Sequence, residues 1–339
     1  MARIDLIIPV YNESEALPAF HHSLRTVLSN LPHRFRLVYV DDGSTDSTAA
    51  VLRGMAEQDE DVCTIELSRN FGHQAALSAG LDAFDADAAI MMDGDGEHPP
   101  GLIPEMIRLF EIGYEVVQTQ RLDAGRRGVF LKRITGSVFY WLINRLGETK
   151  VLDGAADYRL LSQSAVAALK QMPEYHRFLR GMVPWIGFRT VLLPYAPAAR
   201  LAGHSKYSLG KMLRLASDGM FSFSLAPLRL AMVTGGLFLL VALLEALYVL
   251  SYFVRGLRSQ LVPGWSSLML AVLTSSGVSM LLLAILGVYV GMIFQEVKGR
   301  PVYILSPKRL HKLTVKGETD GLPQKADAQG TTKASLPSR

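Results

Sequence analysis

Between Arg258 and Glu296 the chain carries no charged residue, and residues 230–254 carry one, Glu245. A helix needs roughly 20 apolar residues to cross a bilayer, where every backbone polar group must be satisfied within the segment. Both runs reach that length and are too uniformly apolar for buried helices of a soluble domain. The sequence therefore predicts two transmembrane helices, at 230–254 and 268–294. Their connection, 255–267, holds two arginines, whereas Lys206, Lys211, Arg214 and Arg229 precede the first span and Lys298, Arg300, Lys308 and Arg309 follow the second. The bias of basic residues toward the cytoplasmic side places the N-terminal portion and the tail in the cytoplasm. Glu245 is costly in hydrocarbon unless paired, so it is expected to face the other span or a neighbouring subunit. Just before the first span, residues 209–225 set Leu209, Met212, Leu213, Ala216 and Met220 on one helical face and Lys211, Arg214 and Asp218 elsewhere. That is the pattern of an interfacial helix lying on the bilayer. From Lys316 the tail is polar and is expected to be disordered.

The apolar excess, with 49% hydrophobic residues and a mean hydropathy of +0.21, is thus localised rather than general. A single cysteine, Cys63, excludes an intramolecular disulfide and a Cys-based zinc site, and fits a reducing compartment. The opening Met-Ala-Arg-Ile-Asp5 brings an acid too early for a signal peptide. A net charge of +4 suits an anionic membrane face. Basic and aromatic residues do not interleave as a nucleic-acid surface requires, so no nucleic-acid partner is expected.

Ahead of the spans, apolar runs alternate with helical patterns. Strands are predicted at 4–10, 35–40, 64–67, 88–92 and 116–119. Helices are predicted at 49–55 and 75–84 and where Leu102, Ile103, Met106, Ile107 and Phe110 recur at helical spacing. This alternation argues for an α/β fold with a mostly parallel sheet covered by helices on both faces. Ligands bind such sheets at the carboxyl ends of the strands, where Glu13, Asp41, Asp42, Asp93 and Asp95 all fall.

Residues two apart on an extended chain point the same way, so Asp93 and Asp95 can hold one ion together. Two carboxylates with water and phosphate oxygens suit Mg²⁺ or Mn²⁺. In isolation Asp-Gly-Asp is equally a turn, but acids on three strand ends at one edge favour a site. Beyond the fifth strand the sign of charge changes, at Arg121, Arg126, Arg127, Lys132 and Arg133. These are a solvated basic face or a diphosphate-binding set beside the metal. Residues 151–162, with Asp153 and Asp157, read as another acid-bearing loop. Arg200-Leu-Ala-Gly203-His-Ser205-Lys206-Tyr207 combines a glycine turn, two cations and a hydroxyl, which suits a phosphate or a plain surface loop.

Several ordered segments now stand together: Ile7-Ile-Pro9-Val-Tyr11-Asn12-Glu13, Val40-Asp41-Asp42-Gly-Ser-Thr-Asp46, Ser68-Arg-Asn-Phe-Gly-His, Met92-Asp93-Gly-Asp95-Gly-Glu-His-Pro-Pro and Asp157-Tyr-Arg-Leu-Leu-Ser. With Arg200-x-x-Gly-x-Ser-Lys206-Tyr and the paired spans, they resemble the polyprenyl-phosphate glycosyltransferases. These are GT-A fold members of glycosyltransferase family 2 and include dolichol-phosphate mannose synthases and bacterial undecaprenyl-phosphate hexose transferases. The resemblance implies a Rossmann-like GT-A domain over 1–207, followed by the interfacial helix over 208–227, spans at 228–254 and 267–295, and a cytoplasmic tail over 296–339. It implies that Pro9, Tyr11, Glu13, Val40, Asp42 and Asp93 bind the nucleotide, and that Asp93 and Asp95 hold the metal, Asp95 with a catalytic part. Arg121, Arg133, Arg200 and Lys206 match the phosphate-binding cations, with Lys132 competing for the place of Arg133. Ser205 joins them as an acceptor-side hydroxyl. Asp157 matches the acid proposed as catalytic base. The chain departs from the pattern at Glu97, usually Gln, and at Gly96, often Leu. Glu97 is a candidate third metal ligand or a determinant of sugar recognition.

The expected reaction is metal-dependent, inverting transfer of a hexose from a nucleotide diphosphate sugar to polyprenyl phosphate, on the cytoplasmic face of a bacterial inner membrane. UDP-glucose is the first choice of donor, with GDP-mannose, UDP-galactose and modified UDP-pentoses as alternatives. The acceptor phosphate, with a second pKa near 6, is already largely dianionic and scarcely needs a base. Asp157 is thus either a base or a group that orients the acceptor, a cation or the sugar. A flippase or inactive scaffold is the competing class, and the Asp93/Asp95 pair with Arg200 and Lys206 argues against the scaffold. A processive synthase is disfavoured, since two spans enclose no channel and its Gln-x-x-Arg-Trp signature is absent. Glu245 and the small residues Gly277, Ser279, Gly287 and Gly291 suit packing into a homo-oligomer.

Overall fold

The computed structural model describes residues 1–122, 155–175, 177–196, 226–255 and 264–307. Four apolar runs form parallel strands, β1 (Arg3–Val10), β2 (Arg34–Asp41), β3 (Val62–Glu66) and β4 (Ala88–Met91). Between them lie α1 (Leu17–Leu28), α2 (Thr48–Gln58) and α3 (His73–Asp82). After β4 come α4 (Ile103–Glu111), β5 (Val116–Arg121), β6 (Ala155–Ser162), α5 (Gln163–Lys170), α6 (Leu179–Trp185) and β7 (Thr190–Tyr195). The strands form one seven-stranded sheet in the order β3-β2-β1-β4-β6-β5-β7. Both faces of β1 and β4 are covered, which is why these strands are largely apolar rather than alternating. Ile4, Leu6 and Ile8 pack on one side with Phe20, Leu24 and Met106, while Ile7 and Met91 pack on the other with Leu77, Leu81 and Met182.

The mostly parallel α/β sheet is as the sequence predicts, but it has two strands more than the five predicted, β6 and β7, and the first of them shapes the site. Residues 151–162 are predicted as a loop, yet from Ala155 onward they are a buried strand running antiparallel to both β4 and β5. A charged strand in a sheet centre is stable here because Asp157 and Arg159, two apart on one face, pair with each other at 2.8 Å. The reversal has a geometric consequence. Met91 stands opposite Arg159, so continuing two residues on from Met91 and two back along β6 brings Asp93 and Asp157 to the same place. Running backwards, β6 delivers its beginning to the edge where the parallel strands end.

Two long helices follow, α7 (Ala226–Val254) and α8 (Trp265–Val297), which pack together with Gly235 against Leu282. Large exposed apolar side chains crowd along both, from Met232 to Val254 and from Leu268 to Val297. Among the described residues one stretch, Thr274–Val297, is long and apolar enough to cross a membrane, with 24 residues at a mean hydropathy of 2.3. At 1.5 Å per residue it extends about 36 Å, more than a typical hydrocarbon core of about 30 Å. The interfacial helix expected at 208–227 lies outside the described residues except at its end.

Past α8 the chain turns back onto the sheet. Leu305 bridges antiparallel to Leu67 on the outer edge of β3. Ser68 N–H donates to the Ile304 carbonyl and Ser306 N–H to the Glu66 carbonyl, both at 2.8 Å, and Tyr303 hydroxyl donates to Asp82 Oδ2 at 2.8 Å. This part of the 296–339 segment is therefore a short strap on the sheet edge.

Candidate active site

The loops leaving β1 and β2 are stitched together. Asn12, in the left-handed region at φ 53°, accepts from Thr45 N–H at 2.8 Å and donates its own N–H to Ser44 Oγ at 2.9 Å. Asparagine tolerates that backbone because its short polar side chain bonds locally. Glu13 N–H donates to Thr48 Oγ1 at 2.9 Å. Pro9 and Val40 are register partners on adjacent strands, so Pro9, Tyr11, Glu13, Val40 and Asp42 gather at one edge. Asp42 is buried and accepts from Phe71 N–H at 2.7 Å and Gly72 N–H at 2.9 Å. Burial outweighs those bonds and raises its pKa. Gly43, at φ +65°, lets this loop lie against Arg69 and Asn70, whose backbone any side chain would strike.

The acid loop after β4 closes over the same edge. A Cβ on Gly94 would come within 2.9 Å of Val10 Cγ1 and 3.2 Å of Glu13 Oε2, so glycine between the two aspartates is what brings Glu13 beside them. Asp93 N–H donates to His98 Nδ1 at 2.9 Å, and His98 stacks on Tyr158 with ring centroids 5.0 Å apart. His73 Nε2 donates to Asp93 Oδ1 at 2.7 Å. Burial opposes the charge on Asp93, but His98 and His73 outweigh it and hold the carboxyl down to about 2. Burial likewise opposes the His73 imidazolium, yet Asp93 and Asp157 carry its pKa up to about 9. At neutral pH the two form an ion pair. Asp95 Oδ1 accepts from Glu97 N–H at 3.0 Å, and the Glu97 carboxylate meets Arg121 Nη1 at 3.2 Å.

Across the gap, Asp157 is surrounded by donors. Oδ1 accepts from Arg159 Nη2 at 2.8 Å and from Arg180 Nε at 3.2 Å; Oδ2 accepts from Arg180 Nη2 at 2.9 Å and from Gln74 Nε2 at 3.4 Å. His73 Nδ1 is 3.9 Å from Oδ2, so the imidazolium bridges the two aspartates. Gln74 also accepts from Leu179 N–H at 3.1 Å, joining α3 to the start of α6. Against the penalty of burial, Arg180, Arg159 and His73 drive the Asp157 pKa well below the carboxylate range. Burial pulls Arg159 down to about 10, which leaves it charged.

Residues 5–169 match the model of a family described as Glycosyl transferase family 2. The chain is 36% identical over 301 residues to the uncharacterized glycosyltransferase YkcC of Bacillus subtilis, covering 88% of this chain and 92% of that one. It belongs to glycosyltransferase family 2. A bactoprenol glucosyl transferase of Shigella phage SfII is 36% identical over 314 residues, covering 91% of this chain and 99% of the relative. Among solved structures, mannosyl-3-phosphoglycerate synthase from Rubrobacter xylanophilus aligns with a TM-score of 0.47 at 14% identity, over 64% of this chain and 71% of that one.

The glycosyltransferase thus draws Pro9, Tyr11, Glu13, Val40, Asp42, Asp93, Asp95, Glu97, Arg121 and Asp157 to one sheet edge. Lys132, Arg133, Arg200, Ser205 and Lys206 lie outside the described residues. Three groups at the centre were not singled out by sequence reasoning: His73, Arg159 and Arg180. Arg159 follows Asp157 by two residues, the same spacing that pointed to Asp93 and Asp95, and is the one of the three with a readable signal. Among the described residues, no three His, Cys, Asp or Glu side chains converge as an all-protein metal cage. The enzyme's Asp93 and Asp95 instead offer two hard oxygen donors, one already ionised, as suits a cation that shares its shell with substrate phosphates.

Proposed function

We propose that this glycosyltransferase moves a glucosyl group from UDP-glucose to polyprenyl phosphate at the cytoplasmic face of a bacterial inner membrane. The relatives named bactoprenol glucosyl transferase, similar over nearly their whole length, carry this reading. An acceptor phosphate oxygen attacks the anomeric carbon, the bond from that carbon to the donor's β-phosphate oxygen breaks, and the nucleoside diphosphate leaves with the electron pair. Direct displacement inverts the anomeric centre. No proton has to be taken, because the acceptor enters as a dianion and leaves as a diester.

Asp93 and Asp95 would hold Mg²⁺ or Mn²⁺, and a cation there neutralises charge building on the leaving diphosphate. Glu97 is engaged with Arg121, which favours a part in placing that arginine over a part as metal ligand. The ionised, fully bonded Asp157 suits positioning rather than proton transfer. Lys132 or Arg133, with Arg200, Ser205 and Lys206, would complete the phosphate sites.

The strap supports a two-span topology. Residues 304–306 contact β3 directly, so the chain after α8 returns to the side on which the catalytic domain sits. That requires an even number of crossings, which α7 and α8 together supply. Gly277, Ser279, Gly287 and Gly291 are exposed on α8 and suit close contact with a second copy. The deciding measurement is transfer of radiolabel from UDP-glucose into a polyprenyl-phosphate fraction, with and without Mg²⁺ or Mn²⁺. Metal-dependent incorporation supports the reading. Incorporation from GDP-mannose or UDP-galactose alone would overturn the choice of donor, and none from any donor would overturn the acceptor.

A further inference from the structure

We propose that the hydroxyl of Tyr195 reads a hydroxyl of the hexose being transferred, making Tyr195 a specificity-determining residue; this rests on the reading of the chain as a glucosyltransferase using UDP-glucose. Tyr195 is the last residue of β7 and pairs in parallel register with Arg121, the last of β5. It therefore stands at the edge where the acid loop leaves β4. Only 5% of the residue is exposed. Two rings hold its own edge-on: Tyr158, with centroids 6.0 Å apart at 90°, and His98, at 6.1 Å and 71°. His98 accepts the Asp93 N–H at 2.9 Å, and Tyr158 donates its hydroxyl to the Pro99 carbonyl at 3.0 Å. One aromatic cluster thus fixes both the Tyr195 phenol and the loop that carries Asp93.

The two tyrosines differ in what their hydroxyls do. That of Tyr158 is committed to Pro99, whereas among the described residues that of Tyr195 makes no hydrogen bond. A polar group so deeply placed ordinarily has a partner. The charges that act on it surround the site: Arg121, Asp93 and Glu97 on one side, and Arg180, which grips Asp157, on the other. Burial is the largest influence and, with these charges, pushes the phenol's pKa up to about 12. Tyr195 therefore keeps its proton at working pH and can both donate and accept. Phosphate groups call for cations, and the donor's diphosphate has them in the metal on Asp93 and Asp95 and in Arg121. The hexose is bonded to that diphosphate and lies in the gap that the acid loop and Asp157 face across. Its hydroxyls, like the phenol, donate and accept without charge. Rigidity makes such a bond selective, because a site built around one hydroxyl is left with an unpaired group when a substrate lacks it.

The test is a cycle between protein and substrate, run on the full-length protein with undecaprenyl phosphate. Wild type and Tyr195→Phe are each given UDP-glucose and its 2-, 3-, 4- and 6-deoxy analogues, and kcat/KM is measured for every pair. Phenylalanine keeps the ring in its cluster and removes only the hydroxyl. Tyr195→Phe is expected to lose about 10-fold in kcat/KM with UDP-glucose, the range of one hydrogen bond. One deoxy analogue should lose as much with wild type, yet little more than about twofold further with Tyr195→Phe, since the partner is already gone. The other analogues should show the same penalty in both proteins. Inhibition by UDP, which lacks the hexose, should stay within about twofold, and this also reports that the variant is folded. Equal penalties for every analogue in the two proteins would overturn the assignment. So would UDP inhibition that weakens in step with turnover, because the hydroxyl would then meet the nucleotide diphosphate. A wild-type protein inactive with UDP-glucose but active with another nucleotide sugar would overturn the choice of donor alone, and the same cycle on deoxy forms of that sugar then decides Tyr195.

Discussion

The acid loop after β4 and the first residues of β6 face each other across one strand pairing, and each presents an aspartate to the site. They are held in opposite ways. Asp93 sits on a loop of glycines and prolines, and its carboxylate faces two histidines, His73 at 2.7 Å and His98 at 3.7 Å, which on the proposed function give way to a cation. Asp157 sits inside a buried strand with two arginines and a glutamine on its oxygens. One carboxylate is ionised by partners that can be exchanged, the other by partners that cannot. On the proposed function the contrast gives them different work: the first receives a cation, the second stays a fixed part of the framework around it.

The largest effect should come from the exchangeable side. Asp93→Asn or Asp95→Asn is expected to lower kcat/KM by about 10³-fold or more, since a neutral amide cannot anchor a divalent cation against a charged diphosphate. Chelation of the wild-type enzyme should reproduce the loss and added Mn²⁺ or Mg²⁺ should reverse it, whereas neither should restore the variants. Full activity of Asp93→Asn would remove the basis of the comparison.

Asp157→Asn should cost about 10²-fold in kcat/KM without moving the acid limb of the pH profile. A shifted acid limb would mean that Asp157 titrates in the working range and acts as a base. The variant should also be less stable, by about 3–5 kcal/mol if Arg159 is left buried without its counter-charge. The sign in pH follows from the depressed pKa. The stability Asp157 contributes is complete above its unfolded value of about 4 and is lost as pH falls through the lower folded value. Denaturation midpoints of wild type and variant should therefore converge in strong acid and stay apart at neutral pH.

These two aspartates also mark how far the sequence could be read. The parallel half was legible because each strand is a short apolar run that stops at acid or glycine, and sheets of that kind place such stops along one edge. β6 was not, because Asp157 and Arg159 interrupt an otherwise apolar segment, and a lone charge argues against burial. What makes the strand possible is the pair, whose spacing puts both on one face. His73 stood inside a noted motif without a role, since its function depends on Asp93 and Asp157 arriving from strands distant in sequence. Arg180 had no local signal at all. The strap was hidden differently. Val302-Tyr-Ile-Leu305 is strand-like, but it follows a long apolar helix and adjoins a polar tail, and nothing nearby in sequence names β3 as its partner.

Glu97→Gln probes the loop itself and should have a smaller effect. Glu97 meets Arg121 in an ion pair at 3.2 Å, with both side chains partly exposed. Such a pair is worth at most about 1 kcal/mol, so the donor KM should rise no more than about fivefold, with the metal requirement unchanged. A tenfold or larger rise in the Mn²⁺ needed for half-maximal activity would instead make Glu97 a metal ligand and widen the exchangeable side of the site.

The smallest effect is expected farthest from the chemistry. Tyr303→Phe removes the hydrogen bond to Asp82 at 2.8 Å, leaving Asp82 its longer contact to Arg177 at 3.9 Å and leaving the backbone bonds of the strap intact. The loss should be about 1 kcal/mol, read as a fall of about 2–4 °C in the melting temperature of the full-length protein. Asp82 ends α3, the helix that begins with His73, so the strap touches the far end of the element that bridges the two aspartates. If that helix transmits strain, turnover will fall with Tyr303→Phe as well as stability. Because α3 packs through Leu77 and Leu81 into the core, the helix should hold its place and kcat should stay within about twofold of wild type.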